Sequence, residues 1–167
     1  MMKNLRVLLL PFFLTACSAV PPEKSDSFSL NVPTNGQTTA SYTDRQESEL
    51  KQIASTPPFK LTRQNNILTI SLCGKKAFSP ENDLYPSAKE TLEKIADILG
   101  RYDKTHISIT GYADEKSFGV RFSEQQANAV ADVLKATRIA NTRFWIEGRD
   151  TDGKNHTDIV LTPTFIK

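Results

Sequence analysis

The side chains that could take part in catalysis do not cluster in this sequence. His106 and His156 are far apart, and neither belongs to a pair with metal-ligand spacing. Asp114 and Glu115 are adjacent, which is more typical of a solvated loop than of a general acid and base. The run 150–154 contains two aspartates and a glycine but lacks the distal glutamate of a calcium loop. We therefore predict that the protein is not an enzyme and has no metal site and no cofactor.

One cysteine has a context that predicts modification. Lys3 and Arg6 precede an apolar run, Val7–Leu14, which is shorter than the roughly 20 residues that span a bilayer. The run ends in Leu14-Thr15-Ala16-Cys17, which is similar to a bacterial lipobox. Residues 1–16 are thus predicted to be a signal peptide, and Cys17 is predicted to carry lipid (palmitate). By resemblance to sorted lipoproteins, Ser18 favours the outer membrane, facing the periplasm. The alternative is an ordinary secretory signal with an incidental cysteine.

The balance of charges excludes one class of partner. The sequence has 21 Lys and Arg residues against 19 Asp and Glu residues. Removal of Lys3 and Arg6 with the signal peptide leaves 19 of each sign and a net charge of zero. A neutral chain has no general positive field for a nucleic-acid backbone, so we expect no nucleic-acid partner. The two cysteines and two histidines do not have the spacing of a Cys/His zinc module, so none is expected.

Two further residues with distinctive chemistry lie in strand-like segments. Cys73 is predicted to be a small buried core residue, with a reactive thiol or an intermolecular disulfide as the alternative. Trp145 is also predicted to belong to the core, with a role in an interface as the alternative.

The N-terminal third of the chain has the composition of a linker. Residues 18–42 are rich in Ser, Pro, Thr, Asn and Gln and show no apolar period. Within residues 17–57, a short helix is predicted over 43–55, because Thr43 and Gln46 have capping-box spacing and a narrow apolar stripe follows. This helix is either marginal on its own, which we favour, or docks on a partner. The globular domain is predicted over residues 58–167.

The elements of that domain follow from periodicity. Five segments have the alternation or the β-branched enrichment of strands: 59–63, 67–73, 106–112, 143–147 and 158–161. Pro86 is predicted to begin a helix that ends near Gly100. Ser123 and Gln126 have capping-box spacing, which predicts the start of a second helix. This alternation predicts an α/β (α+β) two-layer sandwich of roughly 110 residues.

Five segments of the domain occur in an order that is specific to one known family: Phe78, Leu84–Ala88, Ile107–Asp114, Phe122–Ala127 and Ile159–Pro163. Within them, Gly-Tyr-Ala-Asp at 111–114 is close to the Gly-His-Thr-Asp hallmark of that family. The chain from about Ile67 to Pro163 resembles the OmpA-like peptidoglycan-binding domain of porin tails, peptidoglycan-associated lipoproteins and flagellar stator subunits. The resemblance implies a βαβαββ domain with a mixed sheet and two helices on one face.

The resemblance also implies a binding site. In the family, the hallmark aspartate pairs with the ammonium of diaminopimelate in the wall peptide, and an arginine in the second helix pairs with its carboxylate. Asp114, after Tyr112 and Ala113, matches the aspartate, whereas Gln126 stands at the arginine position. Arg121 either replaces the missing charge or is a solvated loop residue. Asp114 either binds the ligand or accepts hydrogen bonds from its own loop.

Two functions remain open at this point. In the first, the protein links the outer membrane to peptidoglycan, through a site weakened by the missing arginine, and works within an envelope-spanning complex. In the second, it is a structural subunit of a secretion-system core with a degenerate groove. Small lipoproteins with an OmpA-like domain occur in type IVB secretion systems (the DotK/IcmN type), to which this chain is loosely similar. Proteins of such an envelope complex are the expected partners.

Overall fold

The computed structural model describes residues 38–113, 119–150, 153 and 155–164. In chain order, the elements are α1 (Thr39–Lys51), β1 (Phe59–Gln64), β2 (Ile67–Cys73), α2 (Gly74–Ala77), α3 (Pro86–Arg101), β3 (Thr105–Ala113), α4 (Gly119–Lys135), β4 (Phe144–Asp150) and β5 (His156–Pro163). The predicted signal peptide, the lipidation of Cys17, the linker before residue 38, and Asp114 lie outside the described residues. What the sequence indicates for them stays a prediction.

The described strands form a single mixed sheet in the order β1-β2-β5-β3-β4. Within it, β3 and β4 run parallel, and the other neighbours are antiparallel. Side chains alternate between the two faces of a strand, and Leu68, Ile70 and Leu72 of β2 are fully buried while their neighbours Thr69 and Ser71 are partly exposed. The sheet therefore has one face in the core and one open face.

The two long helices supply the other half of the core. Pro86 occupies the first turn of α3, where its missing N–H costs nothing, and the apolar positions of α3 from Ala88 to Leu99 are fully or almost fully buried. The apolar residues of α4 join the same cluster, which also contains Ile107, Ile109 and Ile159 of the sheet. The predicted α/β sandwich with a mixed sheet is confirmed. The short helix α2 lies in a segment for which no helix was predicted.

The N-terminal helix differs from the prediction. It begins at Thr39, and the hydroxyl of Thr38 accepts a hydrogen bond from Ser41 N at 3.2 Å, so Thr38 is the cap. Thr43, the predicted cap, is buried inside the helix. Leu50 and the following Ala54 are fully buried in the main core. The helix is therefore part of the folded unit rather than a marginal segment of a tether.

Polar contacts also fix α1 to the domain. Tyr42 and Thr105 share a hydrogen bond of 3.1 Å between their hydroxyls, and Gln46 Nε2 donates to Thr105 Oγ1 at 3.3 Å. Burial raises the pKa of Tyr42, so the phenol stays neutral. Further along α1, Glu49 accepts a hydrogen bond of 2.7 Å from the Tyr102 hydroxyl and forms an ion pair with Arg101. We call these six residues the α1 clasp.

A partly buried arginine, Arg143, fixes the turn between α3 and β3. The Arg143 guanidinium donates to the backbone carbonyls of Thr105 at 2.8 Å, Tyr102 at 2.7 Å and Leu99 at 3.2 Å. Burial lowers the pKa of Arg143, since neutral carbonyl groups replace the water that would surround an exposed guanidinium. The carbonyls at the end of α3 thus find donors that the helix itself cannot supply.

Candidate functional site

Two glycines determine how closely α4 approaches the sheet. Gly111 of β3 and Gly148 of β4 are register partners. A Cβ on Gly111 would lie 2.0 Å from the backbone oxygen of Ser123, and a Cβ on Gly148 would lie 2.6 Å from Ser123 Oγ. The N-terminal half of α4 therefore rests directly on these two backbones. This contact explains why the hallmark segment begins with glycine.

The start of α4 was predicted incorrectly. The helix begins at Gly119, whose φ of +61° suits a residue without a side chain. Ser123 is fully buried within the first turns, and its hydroxyl donates to the carbonyl of Val120 at 2.8 Å. Ser123 therefore does not cap the helix, and its capping-box spacing with Gln126 was misleading. As a consequence, Arg121 lies on the helix rather than in a loop.

The loop between α2 and α3 faces α4. A bridge between Phe78 and Leu84 closes this loop, and Ser79 Oγ accepts hydrogen bonds from the backbone N–H groups of Glu81 and Asp83 at 3.2 and 3.3 Å. Asn82 has a φ of +71°, a left-handed conformation that asparagine tolerates better than most residues. The turn thus presents the Asn82 side chain to the helix.

Three side-chain amides meet at this contact: Asn82, Gln125 and Gln126. Asn82 Nδ2 donates to Gln125 Oε1 at 3.1 Å, and Gln126 Nε2 donates to Asn82 Oδ1 at 3.3 Å. Gln126 is only 2% exposed, and its Oε1 has no hydrogen-bond partner among the described residues. We call these three residues the amide cluster. It is neutral, and it contains a buried acceptor that the described part of the chain leaves without a donor.

A pocket of about 300 Å³ lies beside the amide cluster. Its lining combines apolar, amide and cationic groups from the loop and from α4: Pro80, Asn82, Arg121, Phe122 and Gln125. Arg121 and Gln125 are exposed, so the pocket has a charged and a neutral polar side. The arrangement can bind a peptide-like group by hydrogen bonds, with one cation available for a negative charge.

The structure brings some of the predicted site residues together and separates others. Arg121 lines the pocket, and Gln126 reaches the same loop through Asn82. Ala113 is fully buried at the end of β3, directly before Asp114. Tyr112 lies on the open face, where its ring stacks on His156 with centroids 4.5 Å apart. Tyr112 does not line the pocket, and its ring contact among the described residues is with His156.

Burial and the Asp158 carboxylate both raise the pKa of Tyr112, so its phenol is neutral at physiological pH.

The open face of the sheet also carries two residues, Trp145 and Cys73, that were predicted to be in the core. Trp145 is 60% exposed, and Cys73 is half-buried opposite His156. The core prediction failed for both because each occupies the strand position that points away from the helices.

Sequence reasoning missed two members of the amide cluster. Asn82 lies in a segment for which the sequence predicted no structure, and Gln125 is one polar residue of an amphipathic helix. Asparagine is common where the backbone turns with positive φ, which is the one signal that singles out Asn82. Nothing in the spacing of Asn82 and Gln125 indicates that they meet, since 43 residues separate them.

Other kinds of site are not found in the described part of the chain. It contains no group of three or more His, Cys, Asp or Glu residues placed to hold a metal ion. None of its helices combines the length and the apolar character needed to cross a bilayer.

Comparisons with known proteins agree with this architecture. Residues 78–158 match the OmpA family. The chain is 27% identical over 111 residues to "Probable lipoprotein YiaD" of Escherichia coli K12, a match that covers 64% of this chain and 51% of the relative. The chain thus spans about half the length of the curated relative that it matches.

Solved structures share the fold. A MotB-like protein from Desulfovibrio vulgaris superposes with a TM-score of 0.63 at 14% identity, covering 77% of this chain and 93% of that protein. The cell wall anchor of the T6SS from Pseudomonas aeruginosa superposes with a TM-score of 0.62 at 19% identity, covering 71% and 97%. At these identities, the likeness extends to the fold alone.

Proposed function

Because this chain contains an OmpA-like domain, we propose that it is a lipid-anchored outer-membrane protein that binds peptidoglycan non-covalently. The lipid on Cys17 holds the chain in the membrane, and the periplasmic domain holds the diaminopimelate-containing stem peptide of the wall. The protein thereby links the two layers, within an envelope-spanning complex. Its role is binding rather than catalysis.

One observation carries the proposal. The OmpA match includes the segment in which β3 leads through Ala113 to Asp114, and it includes the half of α4 that lines the pocket. Asp114 is assigned to the ammonium group of the ligand, and Arg121 is assigned to a negatively charged group of the same peptide. Gln126 provides neutral hydrogen bonding where the family has an arginine.

The proposal is tested by co-sedimentation of the detergent-solubilised full chain with purified diaminopimelate-type peptidoglycan. We expect the wild-type protein to pellet and Asp114→Ala to lose about 10- to 150-fold in affinity, since a charge-assisted hydrogen bond contributes about 1.5–3 kcal/mol. Asp132→Ala is the matched control, because it removes an exposed carboxylate from α4 without touching the pocket. Equal binding by Asp114→Ala and the wild type would remove Asp114 from the site.

A second function is favoured by a different observation. Trp145 is 60% exposed and lies outside the hydrophobic core, and exposed aromatic side chains are frequent where one protein contacts another. In this alternative, the chain is a structural subunit of a type IVB-like secretion complex, and its groove binds little or no peptidoglycan. The wild-type protein would then stay in the supernatant of the same assay, and Trp145→Ala would weaken its retention in envelope complexes.

A further inference from the structure

The residue at the family's arginine position is covered in this structure. Gln126 is 2% exposed, and it is not among the described residues that line the pocket. Its Nε2 donates to Asn82 Oδ1 at 3.3 Å, so the loop already occupies this group. The proposed function gives Gln126 a hydrogen bond to the wall peptide. A ligand can take over that group only after Asn82 has moved away from α4.

The loop that carries Asn82 is held together by its own hydrogen bonds. We call residues 79–83 the latch loop. Ser79 Oγ accepts from the backbone N–H groups of Glu81 and Asp83, and the Asn82 N–H donates to the Ser79 carbonyl at 3.0 Å. Among the described residues, the side chain of Asn82 makes the hydrogen bonds between this loop and α4. The latch loop can therefore leave α4 as a unit if those bonds break.

The closed contact is weak for its degree of burial. The two bonds of Asn82, to Gln125 and Gln126, measure 3.1 and 3.3 Å and join neutral groups, which contribute less than charged ones. Closure also leaves Gln126 Oε1 buried without a donor among the described residues, and water could supply one after opening. Turning all three amides together would exchange donors and acceptors but keep the same contacts, so the covering of Gln126 does not depend on the direction of either bond.

We propose that the latch loop is closed over position 126 in the form of the domain described above, and that the wall peptide binds a second, open form in which Asn82 has left α4. This step rests on the proposed function and adds a conformational control to the same site. The apparent affinity for a ligand that binds only the open form falls in proportion to the open fraction. The bonds that hold Asn82 on α4 therefore weaken peptidoglycan binding.

The first test removes the side chain of Asn82. Glycine adopts the φ of +71° at this position without strain, so Asn82→Gly takes away both bonds to α4 and preserves the turn. Binding of the detergent-solubilised full chain to purified diaminopimelate-type peptidoglycan is measured by co-sedimentation. We expect the affinity to rise about threefold or more, which is the increase for an open fraction of about one third or less in the wild type.

The matched control is a second asparagine with positive φ. Asn65 has a φ of 56°, is exposed in the turn between β1 and β2, and does not line the pocket. Asn65→Gly should bind peptidoglycan as the wild type does. Circular dichroism verifies that both variants are folded. Should Asn82→Gly not fold, Gln125→Ala breaks the 3.1 Å bond from the side of α4 and should raise the affinity by a smaller factor.

A second measurement follows the latch loop without any ligand. Gln126→Cys places a thiol at the covered position, while the bond to Gln125 still holds Asn82. The rate at which a maleimide labels this thiol reports how often position 126 is uncovered, and peptide mapping separates this label from label elsewhere. The rate should rise several-fold when Asn82→Gly is added and stay unchanged when Asn65→Gly is added.

The outcomes separate the latch loop from the proposed function. Equal or weaker peptidoglycan binding by folded Asn82→Gly, beside a wild type that binds, overturns the latch and leaves the proposed function intact. Weaker binding would make Asn82 a ligand contact instead. Binding by none of the proteins overturns both. Labelling at position 126 that Asn82→Gly does not accelerate would show that Asn82 does not control access to it, which also overturns the latch.

Discussion

The α1 clasp and the amide cluster are two polar contacts that join a helix to the rest of the same domain, and they differ in completeness. In the clasp, Gln46 donates to Thr105, and Glu49 accepts from Tyr102 while pairing with Arg101. In the amide cluster, Gln126 is just as deeply buried, but its Oε1 lacks a donor among the described residues. Buried polar groups in proteins are nearly always paired, so a contact that is complete serves folding. The amide cluster departs from this rule, because it leaves one buried acceptor without a donor among the described residues.

The largest expected effect concerns the integration of α1. Leu50→Ala should lower the free energy of unfolding by about 2–5 kcal/mol, because it removes a fully buried side chain from the core. Urea denaturation monitored by circular dichroism measures the change. Ser48→Ala, at an exposed position on the same helix, should change stability by less than about 0.5 kcal/mol. Equal effects of the two variants would contradict the assignment of α1 to the core.

The next effect concerns the close packing of α4 on the glycines of the sheet. Gly111→Ala should cost about 1–3 kcal/mol, since the new Cβ meets the Ser123 backbone rather than a flexible side chain. Gly100→Ala is the control, because no described heavy atom outside the neighbouring residues and backbone of α3 lies within 4 Å of its added Cβ. Alanine in that exposed helical position should be neutral or stabilise by up to about 1 kcal/mol. Thermal denaturation of both variants gives the comparison, and a loss of stability in Gly100→Ala as large as in Gly111→Ala would contradict it.

The smallest effect concerns the charges of the clasp. The hydrogen bond from Tyr102 and the Arg101 ion pair lower the pKa of Glu49 below 4.5, so the stability that its carboxylate contributes is present above that pH. That contribution is lost as the pH falls through the lowered pKa. For an exposed pair it amounts to about 0.2–1 kcal/mol. In a plot of the free energy of unfolding against pH, Glu49→Gln should reduce the decrease at acidic pH, which we call the acid limb.

Ionisation of Tyr102 should cause a corresponding decrease in the free energy of unfolding at alkaline pH, the alkaline limb. Burial and Glu49 raise its pKa from 10.0 to about 12, so its contribution is present below pH 10 and is lost as the pH rises through 12. Chemical denaturation across both ranges measures the two limbs. Glu90→Gln, which breaks a 3.0 Å surface pair with Lys94 on α3, should leave both limbs as in the wild type. A change in either limb with that variant would point to general charge effects instead.

Much of the fold was predictable because its signals are local. Strand β2 has the same bounds, 67–73, in the sequence pattern and in the structure, since alternation and flanking turns determine both. Helix α3 begins at Pro86 as predicted. The failures concern contacts between distant residues. Ser123 looked like a cap because its packing against Gly111 and Gly148 cannot be read from spacing.

The same limit applies to α1 and to the candidate site. Thr43 and Gln46 are polar, so the helix appeared to have only a narrow apolar stripe, yet both are buried against partners elsewhere in the chain. The family resemblance identified Gln126 as the position of interest. It did not identify Asn82, because the hydrogen bond between them depends on how a loop with positive φ packs against α4.

The strand order also bears on solubility. Strands β1 and β4 end the sheet, so each has one row of backbone groups that no described strand of this domain pairs. Such borders can recruit strands from other molecules and start aggregation. Strand β4 carries Glu147 and Arg149, an ion pair of 2.7 Å, and β1 carries Lys60 and Arg63. These charged side chains would have to be desolvated for a sixth strand to join. The cost of desolvation disfavours growth of the sheet into a fibre.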